Sequence, residues 1–419
     1  MSAIPLSPQP GVSEPISLAE AYAKIGLLLE PIGAAETLPL AQASDRILAA
    51  DAKSSLPLPI FDNSAVDGYG IHQDDLVTGG KLDVIGRLSA GASSTVALSA
   101  GQAIYLATGA VVPDGVAAVA MHEKTLRAGA NVIVNEPHAL GANIRHAGED
   151  VAKGSLIVEA GTLLDYRHVA ILASAGLESV SVRRKVRVAL FSTGDEVRRS
   201  GEQLSPGQIY DVNGPMLTSL LGRKFVEIVG TPRATDNADV ISRLLRERSA
   251  TTDLIVSTGG AAGSDSDHAF GSILAAGGTA QSLRMALRPG KPIVVGRIGS
   301  CVVLSLPGNP LAALVNFLLF ARPAMLALSG QSFRRPRAQA ALAAEEIVHA
   351  GGRVEFAPGR IVDYADDGRP MVVRIGRGGS ARLKPLVEAD GLIELDAELP
   401  VVAAKSPLRF HAFSASFAP

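Results

Sequence analysis

The stretch Val186 to Ser192, VRVALFS, runs directly into Thr193-Gly194-Asp195-Glu196, and this change from apolar to polar residues decides the fold. A continuous run of β-branched and other apolar residues is typical of a strand buried on both faces. The same change recurs at Asp253 to Gly260, DLIVSTGG, and at Cys301 to Pro310, CVVLSLPGNP. The sequence therefore predicts an α/β fold whose strands end in polar loops.

These polar loops are expected to meet at one edge of the sheet. In an open parallel sheet, ligands bind outside the carboxyl ends of the strands, and the helix N-termini behind such loops attract anions. Pro307 and Pro310 restrict the backbone on either side of Gly308-Asn309, in front of an apolar helix. The pattern predicts a rigid anion-binding crevice, although a purely structural turn would have the same sequence.

The bulk composition limits the class of protein. With 419 residues, 47% of them apolar, the chain is long enough for roughly two to four globular domains. A formal net charge of −2 gives no general attraction to nucleic acid or to an anionic membrane. The single cysteine, Cys301, lies in an apolar strand and indicates a reducing compartment. The spacing of the eight histidines argues against a zinc site.

Two segments bear on export and membrane insertion. Met1 to Pro15 is rich in proline and has no apolar core, so it predicts a mobile tail and not a signal peptide. Leu311 to Leu328 approaches the length of a membrane span, but Asn316 and Arg322 interrupt it. It predicts a helix buried against the sheet. We therefore expect a cytoplasmic protein with no membrane partner.

Local signals divide the rest of the chain. Ser17 to Glu20 has the form of a capping box and predicts a helix to about Leu29, and a second short helix is predicted over Ala43 to Ala50. Asn213 is placed as the N-cap of a helix. The predicted parts are a mobile tail (1–15), a split helical linker domain (16–55 and 146–180), a β-rich domain (56–145), the central α/β domain with a parallel-rich sheet (181–331) and a C-terminal β barrel or sandwich (332–419).

Seven motifs occur in a fixed order along the chain, and together they resemble a known family. They are FDNSAVDGYG, ATGAVVP, RHAGEDV, VRVALFSTGDEV, IYDVN, LRPGKP and LPGNP. In this order they resemble the molybdopterin molybdenumtransferases, which include the C-terminal part of gephyrin. A single short match would be weak, but seven in order from about Ser17 to Val402 are hard to obtain by chance.

The resemblance implies an elongated subunit with a helical linker domain, a β domain, a molybdopterin-binding α/β domain and a C-terminal β barrel. It also implies a reaction. Molybdenum from molybdate is inserted into the dithiolene of adenylylated molybdopterin, the phosphoanhydride is cleaved and AMP is released. Mg²⁺ is the expected cofactor. Transient contact with molybdopterin adenylyltransferase and with cofactor acceptors is a further expectation.

The resemblance places catalytic residues on loops. Four of them are acids, and because a dianionic substrate beside carboxylates needs a cation, Glu196, Asp236 and Asp267 are the expected Mg²⁺ ligands. The alternative is that such acids only cap helices or face water. The implied catalytic residues are Asp67, Thr108, Glu196, Asp236, Asp267, Pro307 and Pro310.

Further positions match residues that would bind the substrate. The chain departs from the family in several places. Ala261 to Asp265 has an altered loop, the loop Thr231 to Thr235 is longer, and His146-Ala147 replaces a more basic pair. Arg284 and Arg288 stand where Lys is usual, and Arg is frequent in the family near Pro358, with Arg360 a possible substitute. A solvated basic edge is the alternative reading of these arginines. The implied substrate-binding residues are Thr193, Gly194, Asp195, Thr258, Gly259, Gly260, Arg284, Arg288, Lys291, Gly308, Asn309, Arg145, Asp150 and Ser380.

Three other functions compete with molybdenum insertion. The chain could adenylylate molybdopterin, but the additional β domains argue against this. It could insert tungsten, which the sequence does not distinguish from molybdenum. It could be a non-catalytic pterin-binding or scaffold protein, as the altered loop from Ala261 to Asp265 would allow, but the key acids are retained.

The implied site also predicts an oligomeric state. Asp67 and Thr108 fall in the β domain, whereas Glu196, Asp236 and Asp267 fall in the α/β domain. In a two-fold symmetric dimer, the β domain of one subunit can cover the α/β crevice of the other. We therefore expect a homodimer with two composite sites.

Overall fold

The computed structural model describes residues 14–77, 80–93, 95–230, 233–260, 268–290, 292–376 and 382–414. Contacts between residues divide the chain into two units, each with its own buried core. The large unit comprises Met1–Glu36, Asp45–Ala49 and Val182–Pro419, and the small unit comprises Thr37–Ser44 and Ala50–Ser181.

The N-terminal part of the chain forms one capped helix followed by short strands. Ser17 accepts a hydrogen bond from the Glu20 amide while the Glu20 side chain accepts one from the Ser17 amide, so the predicted capping box is confirmed. The elements to Arg183 are α1 (Leu18–Gly26), β1 (Ala35–Pro39), β2 (Ala52–Lys53), β3 (Asn63–Ser64), β4 (Gly68–Ile71), β5 (Gly80–Leu88), β6 (Gln102–Leu106), β7 (Ala118–Met121), β8 (Thr125–Ala128), β9 (Asn131–Val134), β10 (Ile144–Arg145), β11 (Leu156–Val158), α2 (Tyr166–Ser174) and β12 (Ser179–Arg183).

The helix predicted over Ala43 to Ala50 is wrong. Asp45 has a φ of +64°, which a helix does not permit. Leu48 forms an antiparallel bridge with Val182, and the buried Arg46 is paired with Glu36. The apolar residues of this segment are therefore buried by an extended backbone held to other strands.

The core of the small unit is a six-stranded sheet in the order β7-β4-β6-β5-β9-β8. All neighbours are antiparallel except β5 and β6. Alternate residues such as Tyr69, Ile71 and Val132 fill its core. The strand-rich character predicted for this region is thus confirmed.

The next part of the chain alternates strands and helices as predicted. Asn237 caps α4 by accepting hydrogen bonds from the amides of Asp239 and Val240. The elements are β13 (Val186–Thr193), β14 (Val197–Arg198), β15 (Ile209–Tyr210), α3 (Asn213–Leu220), β16 (Val226–Gly230), β17 (Arg233–Ala234), α4 (Ala238–Ser249), β18 (Leu254–Thr258), α5 (Ala269–Ala275), β19 (Thr279–Leu283), β20 (Leu287–Arg288), β21 (Ile293–Ile298), β22 (Cys301–Leu306), α6 (Pro310–Asn316) and α7 (Arg322–Leu328).

The main sheet of the large unit has the order β16-β13-β18-β22-β21-β19, with β17 beside β13. Its strands are parallel from β16 to β22, and β21 and β19 continue it antiparallel. Ile241 and Leu245 of α4 and Ile273 of α5 pack against the sheet in one buried cluster. Because β13, β18 and β22 run in the same direction, their carboxyl ends lie at the same edge.

The apolar helix that follows β22 is a core element. Residues Pro310–Leu328 are long and apolar enough to cross a membrane, but 89% of the most apolar 18-residue window is buried inside the protein. A π-helical turn, Phe317–Ala321, joins α6 to α7. This agrees with the prediction of a helix packed against the sheet.

The C-terminal part of the chain is a barrel. Five strands close in the order β25-β26-β23-β29-β27 and back to β25, and β20 adds to the outside of β25 in parallel register, with Arg288 opposite Glu355. The barrel alternative of the predicted fold is confirmed. The elements are β23 (Gln339–Ala343), β24 (Ile347–Val348), β25 (Val354–Tyr364), β26 (Pro370–Arg374), α8 (Lys384–Val387), β27 (Gly391–Leu395), β28 (Val401–Val402) and β29 (Pro407–Ala412).

Candidate active site

The ends of β13, β18 and β22 meet in one crevice. Gly259 has a φ of +93°, and a Cβ at this position would lie 2.6 Å from Thr193 Oγ1 and 2.7 Å from the Thr193 carbonyl oxygen. A Cβ on Gly308 would lie 3.6 Å from Gly259 Cα. Only glycine permits this backbone conformation and this close approach at 259. The predicted convergence of the strand-end loops is therefore confirmed for Thr193, Gly259 and Gly308.

The N-cap role predicted for Asn213 is wrong. Asn213 is the first residue of α3 and not its N-cap, which is Val212. Asp211 instead accepts a hydrogen bond from the Gly214 amide at 2.8 Å. The Asn213 side chain is then free to donate to the Gly308 carbonyl oxygen at 2.7 Å, and it ties the start of α3 to the loop before α6.

Three acids lie together beside this crevice. The Asp236 amide donates to Asp195 Oδ1 at 3.2 Å, and Glu196 follows Asp195 directly. At Gly194, a Cβ would lie 2.7 Å from Glu196 Oε2. Partial burial, then the carboxylates of Glu196 and Asp195, raise the pKa of Asp236, while His268 and a hydrogen bond from Thr193 oppose that rise. The cluster therefore has an excess of negative charge.

This excess suits a cation, although the ligand set remains a prediction. Carboxylate oxygens are the donors that Mg²⁺ prefers, and a bound cation would offset the repulsion that raises the pKa of Asp236. Asp267, the third expected ligand, lies outside the described residues. Among the residues that are described, no three His, Cys, Asp or Glu side chains are arranged to hold a metal ion. Glu196 and Asp236 thus fit the predicted chemistry but do not complete a site alone.

A further acidic residue, Asp67, lies in the small unit and is held by hydrogen bonds. Asp67 Oδ1 accepts hydrogen bonds from the Thr108 amide at 2.7 Å and from Thr108 Oγ1 at 2.8 Å. These bonds, with smaller contributions from Arg87 and His122, lower the pKa of Asp67. Arg87 also lies over the ring of Tyr105, 4.5 Å from its centroid. The two residues predicted separately, Asp67 and Thr108, therefore act as one ionised, oriented group.

A basic cavity lies between the β20–α6 segment and the barrel. Its volume is about 330 Å³. Arg288, Arg374 and Arg382 line it together with the buried Glu355. Pro358 also lines it, whereas Arg360 is exposed and is not among the described lining residues. Of the described residues, Arg374 and Arg382, and not Arg360, line the cavity together with Pro358.

The backbone around this cavity is closely packed. Gly290 has a φ of +102°, and a Cβ there would lie 2.1 Å from Asn316 Nδ2. Asn316 Nδ2 donates to the carbonyl oxygens of Gly290, at 3.2 Å, and Ala312, at 2.8 Å. The loop that carries Arg288 is thereby fixed to α6, the same helix that begins at the crevice.

The remaining predicted residues are placed as follows. Pro307 is buried and Pro310 begins α6, with Asn309 exposed between them as its N-cap. Thr258 is buried at the end of β18, and Gly260 follows Gly259 with a φ of +65°. Arg284 is partly buried, Arg145 is exposed at the end of β10, and Asp150 is exposed in the loop after it. Lys291 and Ser380 lie outside the described residues, as does the loop from 261 to 267.

Comparisons with known proteins agree along nearly the whole chain. The MoeA N-terminal region (domain I and II) matches residues 16–176, the "Probable molybdopterin binding domain" matches 189–327, and the MoeA C-terminal region (domain IV) matches 340–404. The molybdopterin molybdenumtransferase of Haemophilus influenzae is 32% identical over 381 residues, which cover 90% of this chain and 94% of that protein. The chain belongs to the molybdopterin molybdenumtransferase family.

Two further proteins support the same assignment. Molybdopterin molybdenumtransferase 2 of Mycobacterium tuberculosis is 32% identical over 386 residues, covering 89% of this chain and 94% of that protein. The crystal structure of a molybdopterin biosynthesis MoeA protein from Pyrococcus horikoshii superposes with a TM-score of 0.81 at 26% identity, covering 95% of this chain and 99% of that one. Both the family and the fold class expected from the seven motifs are thus confirmed.

Proposed function

We propose that this protein inserts molybdenum into molybdopterin, the last step in the synthesis of the molybdenum cofactor. The observation that carries the proposal is the pairing, within the large unit, of an acidic crevice at the strand ends with an arginine-lined cavity. The first suits a cation beside a phosphate-bearing pterin, and the second suits an oxyanion. The family named above supplies the substrate class.

The pterin substrate is adenylylated, and its phosphoanhydride is cleaved with release of AMP. Gly259 and Gly260 let the β18 loop come close to a ligand because neither carries a side chain, and α6 directs its N-terminus toward the same loops. Glu196 and Asp236, with Asp267, would hold Mg²⁺. When bound, Mg²⁺ neutralises charge on phosphate oxygens. Thr193 Oγ1 donates to the Thr258 carbonyl oxygen at 3.4 Å and so joins the ends of β13 and β18 at the crevice.

Molybdate is the second substrate. It is a dianion, and the guanidinium groups of Arg288, Arg374 and Arg382 offer charge-assisted hydrogen bonds to its oxygens. The loop of Arg288 is packed against α6 through Gly290 and Asn316, so this binding surface is fixed relative to the crevice. That arrangement lets the protein hold the two substrates at defined positions before they react.

We also propose that the protein acts as a cytoplasmic homodimer. The Asp67–Thr108 pair belongs to the small unit and the acids of the crevice to the large unit. In the dimer, Asp67 of one subunit completes the crevice of the other. Molybdopterin adenylyltransferase, as donor of the substrate, and acceptor enzymes, as recipients of the cofactor, are the expected transient partners.

The central experiment measures two products in one reaction. Purified protein is incubated with adenylylated molybdopterin, Mg²⁺ and molybdate, and AMP release and metal incorporation are followed together. We expect both to appear and both to require molybdate. Pterin binding without either product would contradict the proposal and favour a scaffold, while a parallel reaction with tungstate tests the choice of metal.

The composite site is tested by mixing two inactive subunits. Asp67→Ala and Asp267→Ala are each expected to be inactive, and their co-expression should restore part of the activity. In a mixed dimer, one site collects both lesions and the other collects neither. Verified mixed dimers that remain inactive would contradict the cross-subunit arrangement.

A further inference from the structure

We propose that Glu355 is a positioning residue that holds Arg288 and Arg374 in the orientation that binds the oxyanion substrate. The inference rests on the proposed function, because it takes the basic cavity as the molybdate site. Glu355 is a carboxylate in the wall of a cavity that otherwise carries positive charge. By charge alone it opposes an anion, so its place there calls for a different explanation.

The geometry around Glu355 supplies that explanation. Glu355 is 5% exposed and each of its oxygens faces a different arginine. Oε1 lies 2.5 Å from Arg374 Nη2, and Oε2 lies 3.6 Å from Arg288 Nη1. Arg374 Nη1 also donates to the Val348 carbonyl oxygen at 3.2 Å, so this guanidinium is fixed at two points. One carboxylate thus bridges two arginines that come from different elements, β20 and β26.

A buried histidine lies behind the carboxylate. His349 Nε2 lies 2.5 Å from the Leu399 carbonyl oxygen, which can only accept, so Nε2 carries a proton. Its Nδ1 lies 3.7 Å from Glu355 Oε2. His349 thus lies nearest to Oε2 of Glu355, whereas Arg374 lies nearest to Oε1, so both carboxylate oxygens have a neighbour within the barrel.

The charge balance favours a dianion. Among the described residues that line the cavity, three guanidinium groups stand against one carboxylate, which leaves two positive charges. Without Glu355, Arg288 and Arg374 would carry like charges with no group between them. Arg288 would lose its carboxylate partner, and Arg374 would keep only its bond to the Val348 carbonyl oxygen. Glu355 reduces the net charge but keeps the donors of two arginines directed to one place. Preorganised donors bind an anion better than mobile ones of higher total charge.

The barrel offers a matched control in Glu394. It is 4% exposed and, like Glu355, is paired with two arginines and a histidine: Arg335 Nη2 at 2.5 Å, Arg409 Nη2 at 2.6 Å and His411 Nε2 at 2.7 Å. Phe356 and Glu394 are opposite each other on β25 and β27, so Glu355 and Glu394 lie on opposite faces of this strand pair. Glu394 is not among the described residues that line the cavity. It therefore reports the cost of losing a buried carboxylate of the barrel without touching the cavity.

The test compares Glu355→Gln with Glu394→Gln in the full-length protein. Molybdate binding is measured by calorimetry, and the steady-state KM for molybdate and kcat are measured with adenylylated molybdopterin. We expect Glu355→Gln to weaken molybdate binding and raise KM by about 10-fold while kcat at saturating molybdate is kept. Glu394→Gln should lower the melting temperature but leave KM for molybdate unchanged. Glu355→Asp, which keeps the charge on a shorter side chain, should lie between wild type and Gln.

A positioning role and a purely electrostatic role of Glu355 predict opposite changes in molybdate affinity. If its charge alone mattered, Glu355→Gln would bind molybdate more tightly, and tighter or unchanged binding overturns the inference. An equal loss in Glu394→Gln overturns it too, because the effect would then be one of barrel integrity. If Glu355→Gln does not fold, Glu355→Asp decides: an unchanged KM overturns the inference and a raised KM supports it.

Failure of the proposed function has a different signature. A wild-type protein that binds molybdate, loses that binding on Glu355→Gln, and yet incorporates no metal would refute the insertion reaction and retain the inference. If the wild-type protein incorporates metal and Glu355→Gln leaves the KM for molybdate unchanged, the insertion reaction is retained and the inference about Glu355 is refuted. Wild-type protein that binds no molybdate at all would overturn the positioning role.

Discussion

The acidic crevice and the basic cavity handle like charges in opposite ways. In the crevice, Asp195, Glu196 and Asp236 lie together, and their repulsion adds to partial burial in raising the pKa of Asp236. In the cavity, the repulsion between Arg288 and Arg374 is offset by a carboxylate of the protein itself. The crevice thus retains a repulsion that a cation would offset, whereas the cavity has a carboxylate of its own beside its arginines. We therefore expect only the crevice to depend on a metal for its stability.

The largest expected effect separates the two regions by their function. Glu196→Gln should lower molybdate-dependent AMP release by at least about 100-fold, because it removes charge that would hold a cation at the phosphates. Molybdate binding, measured by calorimetry, should stay as in wild type. Asp267→Asn is expected to behave in the same way.

The control for this change is Glu247→Gln, an exposed acid on α4. It loses the same charge and should keep full activity. Near-normal turnover in Glu196→Gln would exclude the assigned role, and a parallel loss of molybdate binding would show that the two regions are not separate.

A smaller effect is expected when the cavity is altered. Arg288→Ala should weaken molybdate binding by about 1–3 kcal/mol, the usual contribution of a charge-assisted hydrogen bond, while Arg288→Lys should retain most of the binding. Arg284 has its carbonyl oxygen bonded to the Ile16 amide, and Arg288 alone of the two is among the described residues lining the cavity. We therefore expect Arg284→Ala to have the weaker effect.

Arg360→Ala is the matched control for the cavity, since Arg360 is an exposed arginine on β25. Its molybdate affinity should equal that of wild type. If Arg288→Ala and Arg284→Ala together leave both the KM for molybdate and pterin binding unchanged, these arginines are only solvated surface.

The smallest effect concerns stability. The pKa of Asp236 is raised in the folded protein, so the unfolded chain loses this proton at a lower pH than the folded one does. Stability contributed by this group is therefore complete below its unfolded pKa and falls as pH rises through the window up to the folded pKa. Asp236→Asn should raise Tm at pH 7 by an amount of the order of a degree, and should have no such effect in strong acid.

Added Mg²⁺ gives a second test of the Asp236 carboxylate. Added Mg²⁺ should raise the Tm of wild type at pH 7, and Asp236→Asn should show a smaller rise because one of the expected ligands is lost. Thermal melts with and without Mg²⁺ at both pH values test this. A lower Tm for Asp236→Asn at pH 7 without metal would mean that the carboxylate stabilises the fold, contrary to the direction of its pKa shift.

The crevice was predictable from sequence because each part of it is local. The strand VRVALFS and the turn after it are consecutive, and Gly259 and Gly308 belong to short motifs that signal a close backbone approach. The cavity was only partly predictable. Arg288 stands in a recognisable motif, but Arg374 and Glu355 come from strands that meet only when the barrel closes. Their segments carry no local pattern that distinguishes them from ordinary surface charges on a strand.

Asn213 and the segment from Ala43 to Ala50 show a second limit. Local propensity predicts an N-cap at Asn213 and a helix from Ala43 to Ala50, and in both places a tertiary contact overrides it. Asn213 donates to Gly308, which is distant in sequence, and Leu48 is held by Val182. Local preference amounts to a few tenths of a kcal/mol per residue in such positions, and a single buried contact can exceed it.

The parallel pairing of β20 with β25 has a consequence for how this protein could be recombined. Arg288 and Glu355 face each other in that ladder, although one precedes the central helix and the other belongs to the barrel. A chimera that exchanges the barrel at residue 331 would import a new partner for Arg288 and leave the old one behind. Exchanges between relatives should therefore keep the pairing of Arg288 with Glu355 only if the dipeptide Leu287-Arg288 is exchanged together with the barrel. The segment that must be exchanged as a unit is thus discontinuous in the chain.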